Sequence, residues 1–212
     1  MTVKNKKKLR EEIWSILDED NLIRSSQSCV GKIPNFKEAP LAAIRLTNTL
    51  DWQYSQTVFT SPDSALKEVR EYALRYGKNL IMATPKIKEG YLLINPKKVR
   101  GHEKIASTIK GAFRFGEKIT SFPQIDLVVE GSLGVDLIGN RLGKGGGYAD
   151  REISHLFNEG VINENTTLCT LVHSLQIKEK IPVEDHDEKI NLIVTPEMVI
   201  RTDSITIKNY LK

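Results

Sequence analysis

The stretch from Asp126 to Glu152, DLVVEGSLGVDLIGNRLGKGGGYADRE, constrains the fold of this chain more than any other. Leu127 to Val129 is an apolar, largely β-branched run of the kind that forms a strand buried on both faces. After Gly139 and Asn140 it gives way to the cluster Gly143, Gly145, Gly146 and Gly147. A helical pattern then starts at Ala149 or Asp150 and carries Ile153, Leu156 and Phe157 on one face. Strand, glycine loop and helix therefore follow in order, the arrangement of an α/β protein. Residues without Cβ let the backbone come close to a ligand, and a helix start offers unpaired N–H groups and a partial positive charge. Both properties suit phosphate.

The glycines alone fit either a phosphate cradle or a tight steric turn. No Lys-Ser or Lys-Thr pair closes a P-loop here, and Tyr148 stands where G-x-G-x-x-G needs its last glycine. The flanks favour the cradle. Arg141 and Lys144 bring two cations, Tyr148 a ring and a hydroxyl, and Asp150 a hard oxygen ligand where Mg²⁺ bridging phosphates could be held. As a residue of the first helical turn, Asp150 should tolerate Asn at little cost in stability, about 1 kcal/mol or less.

Taken in order, the chain begins with a helical pattern over residues 4–19, with Leu9, Ile13, Ile16 and Leu17 at helical spacing. Lys6 and Arg10 lie one turn apart and could grip one polyanion; the plainer alternative is a solvated basic face. Residues 39–50 repeat a helical pattern, 57–60 form a short apolar strand, and Ser61-Pro62-Asp63-Ser64 opens a helix, capped by Asp63 or Ser64, that ends at Gly77. Residues 79–84 complete a β-α-β unit, which implies parallel pairing and a right-handed crossover. Further strands are expected at 91–94, 167–175 and 189–195, and a helix at 103–115. The sum is a three-layer α/β/α sandwich with a mostly parallel, Rossmann-like sheet. It is expected to form one domain over residues 1–212, with the basic helix of residues 1–20 packed on it. Ligands should gather at the strand C-terminal ends, where the glycine loop, Thr84-Pro85 and the loop 182–187 would meet.

The acidic loop Glu184-Asp185-His186-Asp187 reads either as a surface turn after Pro182 or as an oxygen-ligated Mg²⁺ site, since its spacing is unlike zinc patterns. His102, His155 and His173 have no evident partners; His173, within an apolar run, reads as a hydrogen-bonded core residue.

Two motifs carry a family resemblance. Arg-Leu-Gly-Lys-Gly-Gly-Gly-Tyr-Ala-Asp, residues 141–150, resembles the signature loop of the 5-formyltetrahydrofolate cyclo-ligase family, also called methenyltetrahydrofolate synthetases. Ile181-Pro182-Val183-Glu184-Asp185-His186-Asp187, followed by an apolar strand ending Val194-Thr195-Pro196, resembles its second signature. Lys6 and Arg10 match the Lys and Arg of its first helix. The resemblance runs from about residue 4 to residue 200, the middle third in layout only.

That resemblance implies an ATP- and Mg²⁺-dependent ligase in which the formyl oxygen of 5-formyltetrahydrofolate is phosphorylated and the neighbouring ring nitrogen attacks, giving the 5,10-methenyl form, ADP and phosphate. Residue by residue, it implies that Lys6, Arg10 and the loop Arg141, Leu142, Gly143, Lys144, Gly145, Gly146, Gly147 and Tyr148 hold the nucleotide. Asp150 and Asp187 would take Mg²⁺, and Lys144 and Tyr148 would also act at the formyl group. The departures fall on the substrate side. The family usually shows Arg-Gly-Lys-Gly-Tyr-Tyr-Asp where this chain has residues 144–150, so one cation becomes Lys144 and another is lost at Gly146. Asp63 is only a loose counterpart of the family's substrate-side Glu, and no Trp-containing stretch lies near Asn95-Pro96. A related formylated pterin is therefore an open alternative substrate.

The net charge of +4 is local: residues 1–10 hold five Lys or Arg and no acid, leaving the rest near neutral. A globally basic nucleic-acid binder is disfavoured, and the rival reading is a non-catalytic, cyclo-ligase-like protein using its basic arm on RNA. Cys29 and Cys169 make no metal-spaced motif, and no leader or long apolar run is visible, so a cytoplasmic protein with no membrane contact is expected. Its partner is expected to be a small reduced formyl-folate or related pterin, and its state a monomer or weak dimer.

Overall fold

Runs such as Val58-Phe59, Leu80-Ile81-Met82 and Leu127-Val128-Val129 lack polar alternation, so each needs cover on both faces. In the computed structural model they lie side by side at the centre of one sheet. The structure describes residues 2–202; Met1 and residues 203–212, which the expected domain also covers, lie outside the described residues. In chain order the elements begin α1 (Thr2–Glu19), α2 (Ala39–Thr47), α3 (Leu50–Tyr54), β1 (Thr57–Thr60), α4 (Lys67–Arg75), β2 (Asn79–Ala83) and β3 (Tyr91–Ile94). They continue α5 (Glu103–Ala106), α6 (Ile109–Phe115), β4 (Glu117–Ile119), β5 (Leu127–Gly131), β6 (Gly134–Val135) and β7 (Arg141–Leu142). The last are α7 (Tyr148–Asn158), β8 (Thr167–Leu171), β9 (Leu192–Val194) and β10 (Val199–Arg201).

The sheet order is β10-β9-β8-β5-β1-β2-β3-β4. The strands from β9 to β2 run parallel, and β3, β4 and β10 add antiparallel edges. Leu46, Trp52, Val69 and Leu74 cover one face, and Ile153 and Leu156 of α7 cover the other against Phe59, Val128 and Ile193. The α/β, mostly parallel, three-layer expectation matches this architecture. A third apolar cluster joins Ile13, Trp14 and Leu17 of α1 to Leu133, Leu142 and Ile181. It docks the N-terminal helix on the β6–β7 hairpin, whose neighbour is the glycine loop.

Several details differ from the sequence reading, each for a local reason. The expected helix over 103–115 breaks at Ser107, because Thr108 caps a second helix by accepting from the Gly111 amide at 2.9 Å. The strand from Thr167 stops at Leu171, since the His173 imidazole accepts from the Leu175 amide and starts a 3-10 turn over Ser174–Gln176. The edge strands β4 and β10 and the hairpin β6–β7 are too short to leave a periodic pattern.

The strand order positions the site. β1 is followed by β2 on one side, while β5 lies on its other side, so the connections leaving the C-terminal ends of β1 and β5 diverge. A parallel sheet opens a crevice at such a reversal.

Candidate active site

The glycine loop joins β7 to α7 across that crevice. Gly145 (φ 105°) and Gly147 (φ 61°) occupy the left-handed region, where a side chain would be strained. A Cβ on Gly146 would lie 2.4 Å from the Tyr148 ring, which folds back over the loop. Arginines grip the loop from outside: Arg10 Nε donates to the Gly143 carbonyl at 2.8 Å, and Arg151 donates to the Gly146 carbonyl at 3.0 Å while its guanidinium lies 4.7 Å from the Tyr148 ring centroid.

Two buried ion-pair clusters stand behind the loop. Arg141 Nη2 donates to Asp150 Oδ1 at 2.6 Å, and the Glu188 amide reaches the same oxygen at 3.2 Å. Burial opposes both charges, yet the pairing outweighs it: Asp150 is held below the usual carboxylate range, and Arg141 is raised by Asp150, with smaller pulls from Glu130 and Asp187. The small stability cost expected for Asp150→Asn is therefore not what this geometry predicts. Asp150 makes no side-chain cap to α7; it neutralises a guanidinium that is 3% exposed.

The second cluster forms where α1 meets the acidic loop. Lys6 Nζ lies 2.8 Å from Glu184 Oε2 and 2.6 Å from Asp187 Oδ2, and the Glu184 amide also donates to Asp187 Oδ2 at 2.7 Å. Lys6 and Arg10 continue the stripe that carries Ile13 and Leu17, so they turn inward with it. The solvated-face alternative thus does not describe Lys6, which is buried, whereas Lys4, Lys7 and Lys8 are exposed. Burial lowers Arg10 against the opposing pull of Asp187 and Glu184.

Among the described residues, Glu184, His186 and Asp187 present ligand atoms within 4.8 Å of one another, while Asp150 falls outside that trio. Asp150 and Asp187 nevertheless share the field of Arg141. Each takes its two hydrogen bonds on a single carboxylate oxygen, so a hard oxygen donor set of the type Mg²⁺ accepts fits the residues present.

In front of the loop is a cavity of about 620 Å³, bounded by residues 31–35, the ends of β1 and β5, the glycine loop, the first turns of α7 and the start of α6. Asp63 stands before a 3-10 turn in an extended conformation but does not cap it. Its carboxylate takes Lys144 Nζ at 2.9 Å and the Ser61 hydroxyl at 2.9 Å, linking the β1 loop to the glycine loop at the cavity rim. Arg70, buried and pushed down to about 10 by desolvation, donates to the carbonyls of Ser61, Asp63 and Ser107 and fixes that wall.

Sequence reasoning missed Glu130 and Glu152. Glu130 ends the apolar run of β5 and Glu152 lies one turn into α7; they are 1% and 2% exposed and both line the cavity. Burial, then the neighbouring Glu152, raises Glu130 well above the carboxylate range, and burial raises Glu152 to about 7. A glutamate closing a strand buried on both faces was the available signal. His155, by contrast, stacks on Tyr91, His102 packs near Phe115, and His173 is hydrogen-bonded in the interior.

Residues 2–196 match the model of the 5-formyltetrahydrofolate cyclo-ligase family. The methenyltetrahydrofolate synthase domain-containing proteins of Bos taurus and Homo sapiens are 32% and 33% identical over 208 residues, 93% of this chain. The chain spans about half the length of these relatives, covering 54% of each. The solved 5,10-methenyltetrahydrofolate synthetase of Aquifex aeolicus superposes with TM-score 0.59 at 19% identity, covering 97% of both chains. That of Mycoplasma pneumoniae gives 0.53 at 13%, covering 89% of this chain and 97% of the other, so both likenesses speak to fold. The two signature loops, the open sheet that brings them together and a family match over nearly the whole described chain converge on one statement: the chain belongs to the 5-formyltetrahydrofolate cyclo-ligase family, a family of ligases.

Proposed function

We propose that this protein is an ATP- and Mg²⁺-dependent cyclo-ligase that converts 5-formyltetrahydrofolate, or a related formylated pterin, to its 5,10-methenyl form with release of ADP and phosphate. The observation that carries this reading is the cavity at the sheet's reversal point, rimmed by the glycine loop and backed by Arg141–Asp150. In this reading, bound MgATP supplies the phosphoryl group that turns the formyl oxygen into a leaving group.

The chain's own residues bind, orient and exclude water. Arg10 and Arg151 hold the loop's carbonyls away from the cavity, so the loop from Arg141 through Leu142, Gly143, Lys144, Gly145, Gly146 and Gly147 to Tyr148 can bring backbone close to phosphate oxygens. Arg141 contributes a fixed positive charge that needs no reorganisation when a phosphate arrives. Lys144, tethered to Asp63 at a partly exposed rim, can exchange that carboxylate for a phosphate or the formyl oxygen. Tyr148, whose ring lies against Gly146 at the cavity lining, would act at the formyl group with Lys144. Asp150 and Asp187 would hold Mg²⁺ through the oxygens their ion pairs leave over, with Lys6 fixing the acidic loop that carries Asp187. Such chemistry depends on positioning and charge neutralisation rather than on a covalent enzyme intermediate.

A cytoplasmic location is part of the same proposal: the buried thiols Cys29 and Cys169 are free, and among the described residues no helix is long and apolar enough to cross a membrane. MgATP should raise the melting temperature of the native protein, because a ligand that binds only the folded state stabilises it by mass action. An unmoved transition at saturating MgATP would contradict the proposal.

A further inference from the structure

The cavity floor holds polar groups that the nucleotide reading does not use. Glu130 leaves β5 on the face covered by α7, the face of Val128, and points toward the helix that carries Glu152. Both Glu130 carboxyl oxygens are fully buried and receive no N–H or hydroxyl donor; the polar group set against them is the Glu152 carboxyl, which can hydrogen-bond them only by sharing a proton. Its own backbone is fully engaged: the Thr170 hydroxyl donates to the Glu130 carbonyl at 2.7 Å, which locks the strand end and the direction of the side chain. Buried polar atoms are satisfied in the great majority of cases, and leaving a carboxyl without a donor costs more than leaving a hydroxyl. The nearest guanidinium, that of Arg141, is committed to Asp150, and Arg141 Nε is itself buried without an acceptor. The floor thus presents unfilled acceptors beside an unfilled donor, all lining one cavity large enough for a small heterocycle.

We infer that Glu130, with Glu152 beside it, is a specificity-determining carboxyl subsite that receives the N–H donor edge of the ligand, an amidine-like edge with N–H groups on adjacent atoms such as that of a 2-aminopyrimidinone ring. The inference rests on reading the cavity as the ligand site and assigns its floor to the nitrogen-rich end of the ligand. Burial holds Glu130 protonated in the free protein, and a pair of N–H donors favours its ionised form, in which two oxygens match two parallel N–H groups in a planar fork. Two adjacent carboxyls also disfavour ligands that bring oxygen acceptors to the same place, so the subsite selects by repulsion as well as attraction. The glycine loop lines the same cavity, so one ligand would be held by its donor edge while its reactive end reaches Lys144 and Tyr148. Such an arrangement keeps an unfavourable buried group in the free protein and recovers its cost when the ligand arrives.

The test compares 5-formyltetrahydrofolate with its 2-desamino-2-methyl analogue, titrated calorimetrically into wild type, Glu130→Leu and Glu130→Gln. Wild type should prefer the 2-amino compound by about ten- to a hundredfold, the range set by a hydrogen bond to a charged group. Both variants should lose that preference. The free Glu130→Leu protein should melt at or above the wild-type temperature, because an apolar side chain of similar size replaces an unpartnered carboxyl. A purely structural glutamate would give the reverse, a lower melting temperature with the preference intact. Equal binding of both compounds by wild type, or a preference retained in the variants, would overturn the inference while leaving the cyclo-ligase proposal standing. A wild type that binds neither compound would overturn both. Should Glu130→Leu fail to fold, the orphaned-carboxyl premise is wrong, and the Gln variant's preference decides the subsite separately.

Discussion

On the rim of the cavity Arg141 meets Asp150 at 2.6 Å and Lys144 meets Asp63 at 2.9 Å, whereas on the floor both carboxyl oxygens of Glu130 lie buried without a donor. Rim and floor belong to one cavity and are built from neighbouring strand ends, yet they treat charge oppositely. The rim charges are compensated in the free protein, and the buried Arg141–Asp150 pair is a preorganised frame that a ligand meets without rearrangement, while the more exposed Lys144 trades Asp63 for it. On the floor the Glu130 carboxyl has no cation or N–H donor paired with it, so the cost of burying it is recovered only when something binds. Charge pairing in the free state thus separates residues that build the site from residues that choose its occupant.

The largest expected effect breaks the rim. Arg141→Met leaves Asp150 buried without its cation and should cost about 3–5 kcal/mol in urea unfolding, the range for removing one partner of a buried pair. The double change Arg141→Met with Asp150→Asn should recover a large part of that loss. A single variant within about 1 kcal/mol of wild type would show that the pair is not a frame.

The floor can be read through pH. Burial first, then the Glu152 carboxyl, raises Glu130 against the pull of Arg141; burial raises Glu152 to about 7 against the hydrogen bond it shares with Glu130 and the smaller pulls of Arg141 and Lys144. A folded-state value above the unfolded one, about 4.3 for Glu, means that the native protein holds more protons across the interval. Stability should therefore fall as pH rises from about 4.5 to about 7, a loss on the order of 3 kcal/mol from Glu152, with Glu130 adding to the decline in the same direction. The rim acts in the opposite sense: Asp150, held low, contributes stability present above the ordinary carboxylate range and lost in stronger acid. Melting curves from pH 4 to 8 should show the decline in wild type and a flatter profile in Glu130→Leu; identical profiles would contradict the assignment.

A smaller effect is expected where α1 meets the acidic loop. Lys6→Met strands the largely buried Asp187 and should cost about 2 kcal/mol, while the more exposed Glu184 is left to solvent. Because Lys6 fixes the loop that carries Asp187, the melting shift produced by MgATP should shrink as well. An unchanged shift would separate Lys6 from the proposed nucleotide and metal site.

The smallest effects probe the glycine loop. Gly145→Ala should cost about 1–2 kcal/mol, since an L side chain is strained at φ 105°. Gly146 does not have a positive φ, so Gly146→Lys, which would restore a cation usual in the family, meets a different obstacle: its Cβ would push the Tyr148 ring away. That ring is partly exposed and can swing out, so the stability cost should stay below that of Gly145→Ala. Turnover should gain little, because the added side chain displaces the Tyr148 ring proposed to act at the formyl group. A large gain in turnover with unchanged stability would show that the ring yields freely.

The central strands were legible because burial on both faces leaves an unbroken apolar run, and Thr57–Thr60 and Tyr91–Ile94 fall where the pattern puts them. The strand–glycine–helix order and the position of the acidic loop were legible for the same reason: glycines and prolines mark chain reversals locally. Ion-pair partners were not. Lys6 finds Glu184 and Asp187 across nearly the whole chain, and Lys144 finds Asp63 across the sheet's reversal point, separations that no spacing rule encodes. Glu130 was hidden by its apolar neighbours, since only the fold brings α7 and Glu152 opposite it. The 103–115 helix was misjudged because Thr108 can serve a helix interior or a cap, and packing decides between them.

The account's central claim is best tested by mixing the intact protein with 5-formyltetrahydrofolate and MgATP and following the methenyl product and phosphate release together. The expected result is one phosphate released per product formed, strict dependence on ATP, and loss of both signals in Asp150→Asn protein that binding or melting shows to be folded. ATP-independent product, phosphate release uncoupled from cyclisation, or full turnover by folded Asp150→Asn would contradict it.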